Sequence, residues 1–166
     1  LENSGRMRRA GEADGLPPAL ANCLGNLDEA PAFEYAPEIY FTQKDVRQVQ
    51  LAKSPVRTAI DIFTQEAGGN IDRVILSGGF GHTLRPESLV QVGLLPEKLA
   101  NRVSFLGNTS LLGCQRLLTE AACRRFIEET MHQTTYLSLA ERSDFMEAFI
   151  ENSEFPRLET PEILKR

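Results

Sequence analysis

Residues 72–82 read Asp-Arg-Val-Ile-Leu-Ser-Gly-Gly-Phe-Gly-His. The stretch predicts a buried strand over 73–77 running into a tight turn at Gly78, Gly79 and Gly81. Glycines packed this densely let the backbone take positive φ and let a ligand approach the main chain. Turns of this kind at the carboxyl end of a strand are where α/β folds bind nucleotides and phosphates. A plain tight turn explains the same letters equally well. The flanking chain therefore has to decide.

The flanks alternate. Residues 33–41 carry Tyr35, Ile39, Tyr40 and Phe41 and predict a strand, most secure over 38–41. Thr42 predicts an N-cap with Asp45 as its acidic partner. Val46, Val49, Ala52, Val56, Ile60 and Phe63 keep a helical period, which predicts a helix over 43–66, interrupted or kinked at Pro55. Gly68 and Gly69 supply C-cap chemistry. Beyond the glycine turn, Pro86 predicts a short helix, and 102–106 predicts a second buried strand ending at Gly107. Asn108 and Thr109 can cap a helix over 110–118. Helices over 120–130 and 142–152 and a strand over 135–139 complete the pattern. Strands alternating with helices predict an α/β domain with a central, mixed and mostly parallel sheet and helices on both faces.

Residues 1–32 show no sustained period and predict an irregular segment or linker, with at most a helical turn around 20–24. The domain is expected over 33–156 and a loose tail over 157–166. A chain that opens on Leu1 and such a segment is expected to be part of a longer one.

Composition narrows the function. The net charge is −5, which argues against nucleic-acid binding, because phosphate recognition needs a basic face. No apolar run reaches the roughly 20 residues of a membrane span. Cys23, Cys114 and Cys123 lack C-x-x-C spacing, so neither zinc nor an iron–sulfur cluster is expected in this chain. Three cysteines without a secretion signal point to a reducing, cytoplasmic compartment. No nucleophile, base and orienting acid stand at a spacing that favours a triad.

Several linked segments resemble, in order and spacing, the carboxyl-terminal domain of the reductive activators of corrinoid proteins. They are Asp45-Val-Arg-Gln-Val-Gln-Leu-Ala-Lys53, Ile71 through Gly81, Gly93-Leu-Leu-Pro96, Gly107-Asn-Thr-Ser-Leu-Leu-Gly113, and the run from Tyr136 to Pro156. The resemblance covers residues 38–156, and Ser4-Gly5-Arg6 resembles a segment that precedes this region in the family.

The resemblance implies one ribonuclease-H-like lobe of an actin-like ATPase, the second of two lobes that enclose a nucleotide cleft. It implies ATP or ADP with Mg as the ligand of the complete cleft. The whole protein would use ATP to drive reduction of cobalt(II) in a corrinoid protein of a methyltransferase system. A 2Fe–2S or other iron–sulfur cluster would lie in a domain outside this sequence. By the same resemblance, the turn Gly78, Gly79, Phe80, Gly81 and His82 would face the adenosine and α-phosphate. An exposed loop is the simpler reading of His82. Gln50, Lys53 and Arg57 share a helix face by their spacing. Relatives hold adenine and ribose from such a face, though a solvated face fits the letters as well. Gly107 and Asn108 form a second glycine-led loop whose helix N-terminus could favour an anion, while capping alone also explains Asn108. An interaction or self-association lobe is the alternative function. A small-molecule kinase lobe ranks third, because the match runs to the activators.

Overall fold

The computed structural model describes residues 4–79 and 83–157. Phe80, Gly81 and His82, and residues 158–166 of the expected tail, lie outside the described residues.

Three strands, β1 (Leu24–Leu27), β2 (Ala30–Ala36) and β3 (Ile39–Thr42), form an antiparallel meander in that order. The single strand expected over 33–41 is thus a hairpin. Ala36 pairs with Ile39 across Pro37 and Glu38, and Glu38 sits at φ 64. Proline followed by a residue at positive φ is the arrangement of a type II turn. Leu27 pairs with Ala30 across Asp28 and Glu29, both at positive φ (48 and 66), as a type I′ turn requires. The segment expected to be irregular therefore carries β1 and the start of β2. Its remainder holds a 3-10 turn at Ala10–Glu12 and the short helix α1 (Pro18–Ala21).

Helix α2 (Gln43–Glu66) follows directly. Its start is a capping box. The Asp45 amide donates to Thr42 Oγ1 at 3.3 Å, and the Thr42 amide donates to Asp45 Oδ2 at 2.8 Å. The helix continues through Pro55. Leu51, whose carbonyl has no N–H to accept from Pro55, is an exposed residue. At the far end Gly68, at φ 70, donates to Gln65 O, and Gly69 donates to Thr64 O. Those two bonds make a Schellman motif, which terminates the helix.

Strands β4 (Val74–Ser77) and β5 (Val103–Leu106) pair in parallel, Val74 opposite Val103 and Ser77 opposite Leu106. Their crossover contains α3 (Pro86–Gln91) and a 3-10 turn at Glu97–Arg102. The crossover buries Leu89, Leu95 and Leu99, and Ile60 of α2, Val74 and Val103 pack on that cluster. Apolar burial there fixes the ends of β4 and β5 relative to α2.

Helices α4 (Thr109–Thr119), α5 (Ala121–Gln133) and α6 (Phe145–Glu151) follow. The strand expected over 135–139 is not formed. Residues 134–138 have no regular structure and lead into a 3-10 turn at Leu139–Glu141. Tyr136 is 86% exposed, and among the described residues no strand pairs with this segment. The α/β class holds, with one difference in detail. Among the described residues the strands form a three-stranded antiparallel sheet and a two-stranded parallel one, rather than one continuous ladder. No helix among the described residues is long and apolar enough to cross a membrane.

Candidate functional site

The ends of β4 and β5 bring the two glycine loops together. Ser77 and Leu106 are register partners, and the Gly78 amide donates to Gly107 O at 3.2 Å. Gly78 takes φ 106, a conformation open to glycine and strained for any L side chain. Among the described residues, a Cβ built at Gly78, Gly79 or Gly107 would meet no atom within 4 Å, so these three positions are bordered by open space. Asn108 caps α4, accepting the Leu111 amide at 3.0 Å on Oδ1. The Thr109 amide returns to Gly107 O at 2.9 Å. This juxtaposition places backbone amides and the N-terminus of an 11-residue helix at one end of a parallel strand pair. Such a site can take an anion or the polar edge of a nucleotide.

Gln50, Lys53 and Arg57 do share one face of α2, and that face is not solvated. Gln50 is 3% exposed and Lys53 2%. Lys53 Nζ donates to Asn152 O at 2.7 Å and to Glu154 O at 2.6 Å, and lies 5.1 Å from the centre of the Phe155 ring. Gln50 Nε2 donates to Ser153 O at 2.8 Å. Arg57 Nε pairs with Asp61 Oδ2 at 2.9 Å. Asn152 returns the contact, donating from Nδ2 to Thr58 Oγ1 at 3.1 Å and to Asp61 Oδ2 at 3.2 Å. The face thus reads the backbone just past α6, where carbonyls without helical partners favour cations. Burial, with the Arg57 guanidinium adding to it, holds the Lys53 ammonium below its ordinary pKa of 10.5. A cavity of about 250 Å³ remains beside Lys53 and Arg57, bounded by Gly93, Asn152, Glu154 and Pro156.

Among the described residues, the hydrogen bonds of Gln50, Lys53 and Arg57 go to α2 itself and to Ser4, Gly93 and residues 152–154. None goes to the glycine loops. Asn152 and Gly93 carry much of this junction, and no periodicity singled them out. A Phe-Pro pair immediately after an amphipathic helix was the available signal.

The described residues contain no group of three or more His, Cys, Asp or Glu side chains that could hold a metal. The three cysteines are free. These residues do not fit an iron–sulfur cluster. Among the described residues, the space at Gly78, Gly79 and Gly107 leaves room for the edge of a ligand.

An antiparallel meander, a long helix and a parallel strand pair with a helical crossover, with glycine loops at the strand ends, fit a lobe of the actin-like fold. The chain belongs to the family described as the C-terminal domain of RACo, the ASKHA domain, which it matches over residues 24–164. It is 29% identical over 121 residues to the corrinoid activation enzyme RamQ of Eubacterium limosum, a match covering 71% of this chain and 20% of that protein. It also superposes on a solved reductive activator for corrinoid, iron-sulfur protein with a TM-score of 0.74 and 25% identity. That match covers 94% of this chain and 25% of the solved one. The chain therefore spans a quarter or less of the length of these relatives.

Proposed function

We propose that this chain is the nucleotide-binding lobe of an ATP-dependent reductive activator of corrinoid proteins. The observation that carries the reading is the Gly78–Gly107 contact, which sets two glycine loops and the α4 N-terminus side by side with open space in front of them. Family membership and the similarity to two corrinoid-related activators support it. In this reading the main chain at Gly79 faces the phosphate and ribose side of ATP, with Gly78 held in its turn by the bond to Gly107, and α4 adds favourable potential for negative charge. ATP supplies the driving force for an uphill electron transfer to cobalt(II), and Mg accompanies the nucleotide in the complete cleft. The electron-carrying cluster and the opposite wall of the cleft belong to residues outside this sequence. The test is cobalt(I) formation in a corrinoid protein of a methyltransferase system, followed optically with the full-length activator. ATP-dependent appearance of cobalt(I) supports the reading, and equal rates with and without ATP contradict it.

A second reading, an interaction or self-association lobe, is favoured by one observation. Helices α4 and α5 bury none of their residues, while Leu118 is 78% exposed, Met131 70% and Phe126 67%. Large apolar side chains left this exposed are candidates for a partner-covered surface. Sedimentation over a concentration series tests it. A dimer that Leu118→Glu dissociates supports it, and a strict monomer of 18.5 kDa counts against it.

A further inference from the structure

The residues nominated on α2 do more than receive the end of α6. Gln50 Nε2 donates to Ser153 O at 2.8 Å and also to Ser4 O at 3.1 Å. Its Oε1 accepts from Arg47 Nη1 at 2.9 Å, so the amide plane is held from both sides. Two turns earlier Gln43 grips the same N-terminal segment. Its Oε1 accepts the Met7 amide at 2.7 Å, and its Nε2 donates to Gly5 O at 2.8 Å. Gly5 sits at φ 80, and a Cβ there would fall 2.5 Å from the Gln50 amide. On the opposite flank Lys53 and Ser54 hold Asn152 O, and Pro156 lies against Gly93 so closely that a Cβ at 93 would meet Pro156 Cδ at 2.8 Å.

A glutamine amide has two N–H donors on one rigid plane. The rotamer that reaches Ser4 O is the one that reaches Ser153 O. We infer that Gln50 is a two-ended latch that couples the seating of residues 4–7 to the seating of residues 152–156 on α2. Each segment, when docked, fixes the Gln50 plane for the other, so releasing one lowers the stability of its partner. Thermodynamic linkage makes the effect reciprocal. Any partner that pulls on the chain ahead of Met7 is then felt behind α6, and the reverse. The inference is independent of the nucleotide reading, since it involves no group at the glycine loops.

Residue-resolved hydrogen exchange on the intact chain tests it with two variants that each disturb one segment. Gly93→Ala pushes on Pro156 and is expected to lower protection of the Met7 amide about fivefold or more. Gly5→Ala pushes on Gln50 from the other side and is expected to lower protection of the Ser153 and Glu154 amides comparably. In a Gln50→Ala background both cross-effects vanish. Protection of the β4–β5 amides reports that the fold is retained. Gln50→Glu, which keeps the side-chain volume and removes both donors, is expected to loosen the two segments together and serves where a glycine variant fails to fold. Loosening confined to the segment next to each substitution, or loosening of only one segment by Gln50→Glu, would overturn the latch.

Discussion

Lys53 Nζ and the backbone oxygen of Asn152 lie 2.7 Å apart, at a lysine 2% exposed. The ammonium has carbonyl acceptors and an aromatic face rather than a carboxylate. Two effects compete on its removal. Deleting a buried charge relieves desolvation, while the carbonyls of Asn152 and Glu154 lose charge-assisted bonds. The bonds win here, because without Lys53 the Asn152 oxygen keeps the longer Ser54 Oγ contact at 3.3 Å while Glu154 O loses its 2.6 Å donor. Lys53→Met is expected to lower stability by about 2 kcal/mol. The urea midpoint checks it, and an unchanged midpoint would show that the site collapses around methionine.

The same lysine sets an alkaline signature. Its folded pKa lies below the ordinary 10.5, so in the interval between the two values the unfolded chain binds more protons. Stability contributed at this site therefore rises with pH across that interval. Lys53→Met is expected to flatten the rise, as measured by denaturation at a series of pH values from 8 upwards.

Thr42 and Asp45 make the acid counterpart. The Thr42 hydroxyl, and then its amide, hold the Asp45 carboxyl below its ordinary 3.8. That contribution is complete above 3.8 and is lost as pH falls through the lower folded value. Arg142 holds Asp144 down in the same direction while bridging to Glu66 at the end of α2. Thr42→Ala is expected to cost about 1 kcal/mol at neutral pH. The difference from wild type should shrink as pH falls below 3.8, and melting temperatures at neutral and acid pH decide it.

Much of this was legible in the residues, and the illegible parts share a physical cause. Both ends of α2 followed from local chemistry, Thr42 with Asp45 at one and Gly68-Gly69 at the other. The meander was hidden because its turns place Asp28, Glu29 and Glu38 at positive φ, where glycine or asparagine would have announced them. The spacing of Gln50, Lys53 and Arg57 gave a shared face correctly. It could not give the burial, because Gln50 and Lys53 donate to backbone carbonyls about 100 residues away, which no side-chain pattern encodes. The contact of the two glycine loops follows from parallel pairing, so it was implied once 73–77 and 102–106 were read as strands. Phe80, Gly81 and His82 complete the expected site and lie outside the described residues.

Adjacent glycines in the turn should respond differently to substitution. Gly78, at φ 106, strains any side chain, and Gly78→Ala is expected to cost about 1–2 kcal/mol. A Cβ at Gly79 meets nothing, so Gly79→Ala should leave thermal stability within about 0.5 kcal/mol of wild type. Equal losses at the two positions would contradict the geometry of the turn.

That contrast makes Gly79 the place to test the nucleotide reading, since a larger side chain there can block a ligand without disturbing the fold. Calorimetric titration of Mg-ATP into the full-length activator carrying this lobe, wild type against Gly79→Val, is the most direct measurement. Saturable heat for the wild type, abolished in Gly79→Val at an unchanged melting temperature, is the predicted result. No heat with the wild type, or the same affinity in the variant, would contradict it.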